Sequence, residues 1–230
     1  MKIPVASGSP SRSMAFDSVA SRPAQRAATV GVAEHVDTAV LVTLAPGGEL
    51  LDRRAIGLTE PGLPTHPHHA EGSWAVGRYL NTPGARAISL ADAVALVERV
   101  RASAERGARE GLAALAAAIP IPIATIAIRA FPPLPPTIEA RIADNRAQTI
   151  ADSVMYREAL AAAAEARGWQ VHWYDREQVF DDAAAVFGED VDSFLRAMGR
   201  SIGPPWQAKH KLAAAAALAA SANEVHQAQR

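Results

Sequence analysis

The sequence predicts a single α/β domain built on a mixed five-stranded sheet, with helices on both faces. Three observations carry this. Residues 28–58 hold three short β-rich apolar segments separated by turn signals. From residue 89 onward, segments of helical period alternate with single strand-like runs. The chain has 230 residues and no cysteine, so it is long enough to bury one full core without staples. Hairpin strands followed by α/β alternation imply one sheet, with later strands joined by crossover helices.

Each element has a local reason. Ala28 to Ala33 (ATVGVA) reads as a strand, and Glu34 to Asp37 as a turn. Ala39 to Leu44 is a second strand, closed by Pro46-Gly47-Gly48. Glu49 to Leu58 is a third, with Arg53 and Arg54 near its exposed edge. Together they form an antiparallel meander. Thr59 to Thr82 is a loop rich in Pro, Gly and His, and its length points to a functional or partner-covered segment. Trp74 and Tyr79 within it would mark a partner surface if exposed.

Ser89 with Asp92 is a helix start of the capping-box kind. The helix runs to about Ala118, with Leu90, Val94, Val97, Val100, Leu112 and Leu115 at helical spacing. Ile121 to Ala130 is a buried strand, and the FPPLPP segment then breaks the chain. A second long helix covers roughly Asn145 to Arg167, with Asp144 as a candidate N-cap and Gly168 as its stop. Trp169 to Tyr174 is the fifth strand. Asp181 to Phe187 and Val191 to Met198 are short helices, and Pro204-Pro205 opens a final helix to about Ala220. The organisation expected is a disordered tail over 1–27, one domain over 28–220 and a frayed tail over 221–230. Met14 is an alternative to Met1 as the start.

Composition narrows the classes. Basic and acidic residues number 23 and 24, for a net charge of -1, which excludes a globally basic binder but not a local basic groove. The longest apolar run, Ile119 to Ile128, is too short and too broken by proline to span a bilayer. The first residues lack the central apolar block of a secretory signal, so a cytoplasmic location is expected. Thiolate metal sites and cysteine nucleophiles are excluded, as are Rossmann, P-loop and G-x-S-x-G signatures.

The opening strand rhythm has a further reading. Gly31-Val32-Ala33, then Ala39-Val40-Leu41-Val42, then Gly47-Gly48-Glu49-Leu50-Leu51 resembles the strand–turn–strand opening of the ribonuclease-H-like superfamily, in particular its Holliday-junction-resolvase branch. As topology the resemblance covers about residues 28–220. It implies two-metal phosphodiester hydrolysis, with one acid at the end of the first strand, one after the fourth and one in the last helix. Here the first position is Ala33, with Glu34 beside it on the opposite face of the strand. The fourth strand ends in Arg129, and the last helix offers Lys209-His210-Lys211.

Three constellations follow. Glu34, Asp152 and His210 are the candidate catalytic residues, His210 standing where the resemblance implies an acid. Trp206, His210, Ala214 and Leu218 are each four apart and share one face of the final helix. His66, His68 and Glu71 could ligate zinc, manganese or iron, and the cofactor expected of the chain is a divalent metal, Mg, Mn or Zn. Arg129, Lys209 and Lys211 are candidate nucleic-acid contacts. Asp175-Arg176-Glu177 is a polar strand exit of the kind that lines α/β sites.

The leading expectation is a non-catalytic ribonuclease-H-like module that binds nucleic acid or a protein partner. The alternatives are a metal-dependent nuclease or resolvase with an altered site, using His210 and nearby carboxylates, and a His-loop metalloenzyme. The Ala-rich final helix also permits a homodimer.

Overall fold

The computed structural model describes residues 27–71, 88–188 and 190–227, with the side chains of 70, 71 and 222–227 excepted. Most of the expected N-terminal tail, Trp74 and Tyr79 lie outside the described residues. The strands are β1 (Ala28–His35), β2 (Thr38–Leu44), β3 (Leu50–Gly57), β4 (Ile123–Arg129) and β5 (Gln170–Tyr174). The helices are α1 (Leu90–Ala118), α2 (Ile138–Ala143), α3 (Gln148–Glu165), α4 (Val179–Phe187), α5 (Val191–Ile202) and α6 (Ala208–Gln227). One π-helical turn, Pro67–Glu71, lies in the His-rich loop.

The sheet order is β3-β2-β1-β4-β5. β1, β2 and β3 pair antiparallel, while β4 and β5 add in parallel beside β1. β1, β4 and β5 therefore end on one edge of the sheet, at His35, Arg129 and Tyr174. β1 is two residues longer than expected. Glu34 and His35 still pair with Ala39 and Thr38, so the turn shrinks to Val36-Asp37.

Side-chain alternation divides the core in two. Val30 and Val32 of β1, with Leu41 and Ile126, pack under α1 and α3. Ala33, Val42, Ala127 and Tyr174 pack under α4, α5 and α6. Ser89 caps α1 as expected, its hydroxyl accepting from the Asp92 N–H at 3.0 Å. Asp144 accepts from the Arg146 and Ala147 N–H groups at 2.7 and 2.8 Å and so steadies the entry to α3.

Two helices differ from the sequence expectation. The short α2 sits in what reads as a broken segment, because Thr137 caps it by accepting from the Ala140 N–H at 3.2 Å. α6 starts at Ala208, after Trp206, and continues past Ala220 to Gln227. Its backbone meets β1 at Ala213 and Ala217, beside Gly31. A Cβ on Gly31 would lie 1.7 Å from the Ala213 carbonyl oxygen and 2.8 Å from the Ala217 nitrogen. Glycine at 31 and alanine along α6 let the two backbones touch. Ala213 to Ala220 are buried on every side, between the sheet and α4. No described helix is long and apolar enough to cross a membrane.

Candidate functional site

The edge where the parallel strands end is where α/β sheets place their chemistry, and the charges there sort by sheet face. Glu34 points to the α3 face, as strand alternation requires. Its carboxylate accepts from Arg157 Nε at 2.6 Å and also meets Nη2. The same guanidinium donates to the Ala130 carbonyl at 3.2 Å. Both side chains are only 6% exposed, so this ion pair is internal. A carboxylate already paired and shielded in this way is a poor ligand for anything else.

The opposite face of the same edge is apolar. Ala33, Ala127 and Tyr174 are all buried there. The Tyr174 hydroxyl donates to the Val32 carbonyl at 2.8 Å. Burial and the nearby Glu34 push its phenol far above its ordinary range, partly offset by Arg129, Arg157 and Arg176.

His210 stands at the start of α6 on this face, across the sheet from Glu34. Its Nδ1 accepts from the Gln207 N–H at 3.1 Å, so the neutral ring carries its proton on Nε2. The ring stacks on Trp206 with centroids 5.6 Å apart. Burial, and then the charge of Arg53, hold the imidazole below its usual pKa. Arg53 is anchored in turn by donating to the Gly203 carbonyl at 3.1 Å and to the Pro205 carbonyl. Arg54 beside it pairs with Asp52 in two bonds of 2.7 and 2.8 Å.

The His-rich loop folds onto α3. Asp152 Oδ1 accepts from the backbone N–H and from Nδ1 of His68, both at 2.9 Å, and Oδ2 accepts from the His69 N–H at 3.2 Å. His68 and Asp152 are both buried. Tyr156, one turn along α3, donates to the Thr65 carbonyl at 2.9 Å. His66 instead faces solvent, its Nδ1 2.9 Å from the Thr65 hydroxyl. Glu71 closes the π turn, and its side chain is not among those described.

Of the catalytic candidates, Glu34, Asp152 and His210 thus have separate partners. Asp152 is brought together with His68, a residue that sequence reasoning places in a different group. Among the described residues no three His, Asp or Glu side chains are arranged to hold a metal ion. The two-metal centre implied by the resemblance does not fit the residues present. Its three positions carry Ala33, Arg129 and the Lys209-His210-Lys211 segment, whose donors are cationic or, at His210 Nδ1, already occupied.

Charged side chains line the rim instead. One concavity of about 250 Å³ is lined by Arg129, Phe131, Asp175, Arg176 and Glu177. A second of about 250 Å³ is lined by Arg176, Phe180, Asp192, Lys209, Lys211 and Leu212. Arg176 belongs to both, so the two join into one strip. The acids along it are Asp175, Glu177 and Asp192: Asp175 accepts from the Glu177 N–H at 2.8 Å, and Asp192 from Arg196 at 2.7 Å. Among the described residues, no ion pair engages Arg129, Arg176, Lys209 or Lys211. Arg157 and Phe180 are site residues that sequence reasoning misses. Arg176 is legible only as part of the polar strand exit.

No protein-family model matches the chain, and no curated protein sequence does. Among solved structures the chain is similar to RuvC of Thermus thermophilus in complex with a Holliday junction substrate, at 17% identity and a TM-score of 0.46. A second Thermus thermophilus RuvC structure shows 16% identity and a TM-score of 0.45. Each alignment covers 86% of this chain and 96% of the other. The sheet, an antiparallel meander whose first strand carries two parallel additions with helices on both faces, is the mixed five-stranded α/β layout expected from the sequence.

Proposed function

We propose that this chain is a ribonuclease-H-like module that binds nucleic acid along the strand-end edge without cleaving it. The observation that carries the reading is the strip of Arg129, Arg176, Lys209 and Lys211, none of them in an ion pair with a described residue. Phosphate oxygens are the natural partners of such a row, and each contact releases a counterion. The acids that would make the same edge a nuclease are replaced or engaged elsewhere. Ala33 has no ligand atom, and Glu34 is neutralised by Arg157 on the other face.

The test is equilibrium binding of labelled duplex, single-stranded and four-way-junction DNA across a salt series, with parallel incubations in Mg²⁺ and Mn²⁺. Binding should weaken steeply with salt, with a log–log slope of roughly -3 to -4 for four phosphate contacts. Lys209→Ala and Lys211→Ala should each flatten that slope by about 1. The DNA should stay uncut in both metals. Cleavage would replace this reading with the nuclease one. Absence of binding at low salt, together with a defined protein partner, would replace it with protein recognition.

A further inference from the structure

We infer that the groove between α4 and the first turn of α6 seats one unpaired nucleobase, so that the module prefers single strands to continuous duplex. The inference rests on the nucleic-acid reading above and gives it a substrate class. Phe180 lies in the first turn of α4 and is 39% exposed, although its neighbours Val179 and Ala183 are buried. It lines the groove with Leu212 and Ala208, and the charged wall is Arg176, Lys209, Lys211 and Asp192. An aromatic and an aliphatic surface bounded by three cations suits a flat apolar body with a phosphate on each side.

The size agrees. At about 250 Å³ the groove falls below the roughly 300–1,000 Å³ typical of pockets that enclose a whole drug-sized ligand. It has room for a base and leaves sugar and phosphates at the rim, where the cations are. The acids near it do not oppose this. Asp192 is paired with Arg196, and Asp181 and Asp182, which follow Phe180 in the first turn of α4, are not among the groove's lining residues. Within a duplex both faces of every base are already stacked, so only an unpaired base can meet the ring of Phe180. Stacking of this kind tolerates any base, because every base has a π-face.

The experiment compares oligothymidylate with a duplex of the same length, binding each to the full chain and to Phe180→Ala, Phe180→Trp and Arg176→Ala. Circular dichroism and thermal melting of each variant confirm folding, which an exposed side chain should not disturb. Phe180→Ala should weaken single-strand binding roughly 5- to 150-fold. Duplex binding should stay within about twofold, since phosphate contacts are untouched. Phe180→Trp should restore the single-strand preference. Arg176→Ala should weaken both ligands. If Phe180→Ala leaves the ratio of the two affinities unchanged while Arg176→Ala still weakens both, the base site is wrong and the nucleic-acid reading stands. If neither ligand binds at low salt, both fall.

Discussion

On the α3 face of the sheet, Glu34 and Asp152 lie buried against Arg157 and His68, whereas on the α6 face the sheet meets glycine and alanine and the charges are displaced to the rim. The difference separates two uses of ionisable side chains. A buried carboxylate with a cation or three N–H donors is committed to the fold, because removing any partner leaves an uncompensated group in a poor solvent. An exposed cation outside any ion pair contributes little to stability and remains available to a ligand. The α3 face is thus held by polar complementarity, the α6 face by shape, and the edge between them is left for recognition.

This contrast can be tested from its strongest term downward. Gly31→Val should be the most damaging change, because its Cβ would overlap the Ala213 carbonyl oxygen at 1.7 Å, on backbone that cannot swing away. Little soluble folded protein is expected on expression. A variant that melts like the parent would show that α6 does not sit on β1. Arg157→Ala should cost about 3–5 kcal/mol in urea unfolding, because Glu34 is left buried without its cation. The double change Glu34→Gln with Arg157→Met should recover much of that loss. Equal losses in the single and double variants would mean that the packing of Arg157 matters more than its charge.

Asp152→Ala removes the carboxylate that accepts from three N–H groups of His68 and His69. It should cost roughly 1–3 kcal/mol and speed hydrogen exchange in residues 59–71. Unchanged exchange there would mean that the loop is held by other contacts. The smallest effect concerns His210, whose folded pKa is lowered by burial and by Arg53. The unfolded chain takes up its proton near the ordinary value of about 6.5, and the folded chain only at lower pH. Stability from this site is therefore complete above about pH 6.5 and is lost as pH falls toward the depressed value. His210→Asn should flatten the acid side of the melting-temperature profile in that window, and an unaltered profile would mean that His210 does not contribute to it.

The layout was legible because its determinants are local. Turn chemistry at Pro46-Gly47-Gly48, the cap at Ser89 and the apolar period of residues 90–118 each act over a few residues. Even the face chosen by Glu34 follows from strand alternation. The pairings were not legible. Glu34 meets Arg157 across 123 positions, and His68 meets Asp152 across 84. No spacing rule links residues that distant, because the sheet order and the docking of α3 decide which of them meet. The close approach of α6 to the sheet was not legible for a related reason: its alanines look alike from every side, and the notch at Gly31 marks where the two backbones touch.

That alanine-lined helix has a consequence in entropy. A leucine or methionine in a helix interface gives up rotamer freedom when it docks, and alanine has none to give. Ala213 to Ala217 therefore dock at the cost of backbone order alone, and no side-chain hops are left to blur their seat on the sheet. Lys209 and Lys211 project from the first turn of this helix. Their backbone origin is fixed relative to Arg129 of β4, while their four-carbon stems stay loose. The strip combines a rigid base with compliant tips, which suits a ligand of constant charge and variable shape.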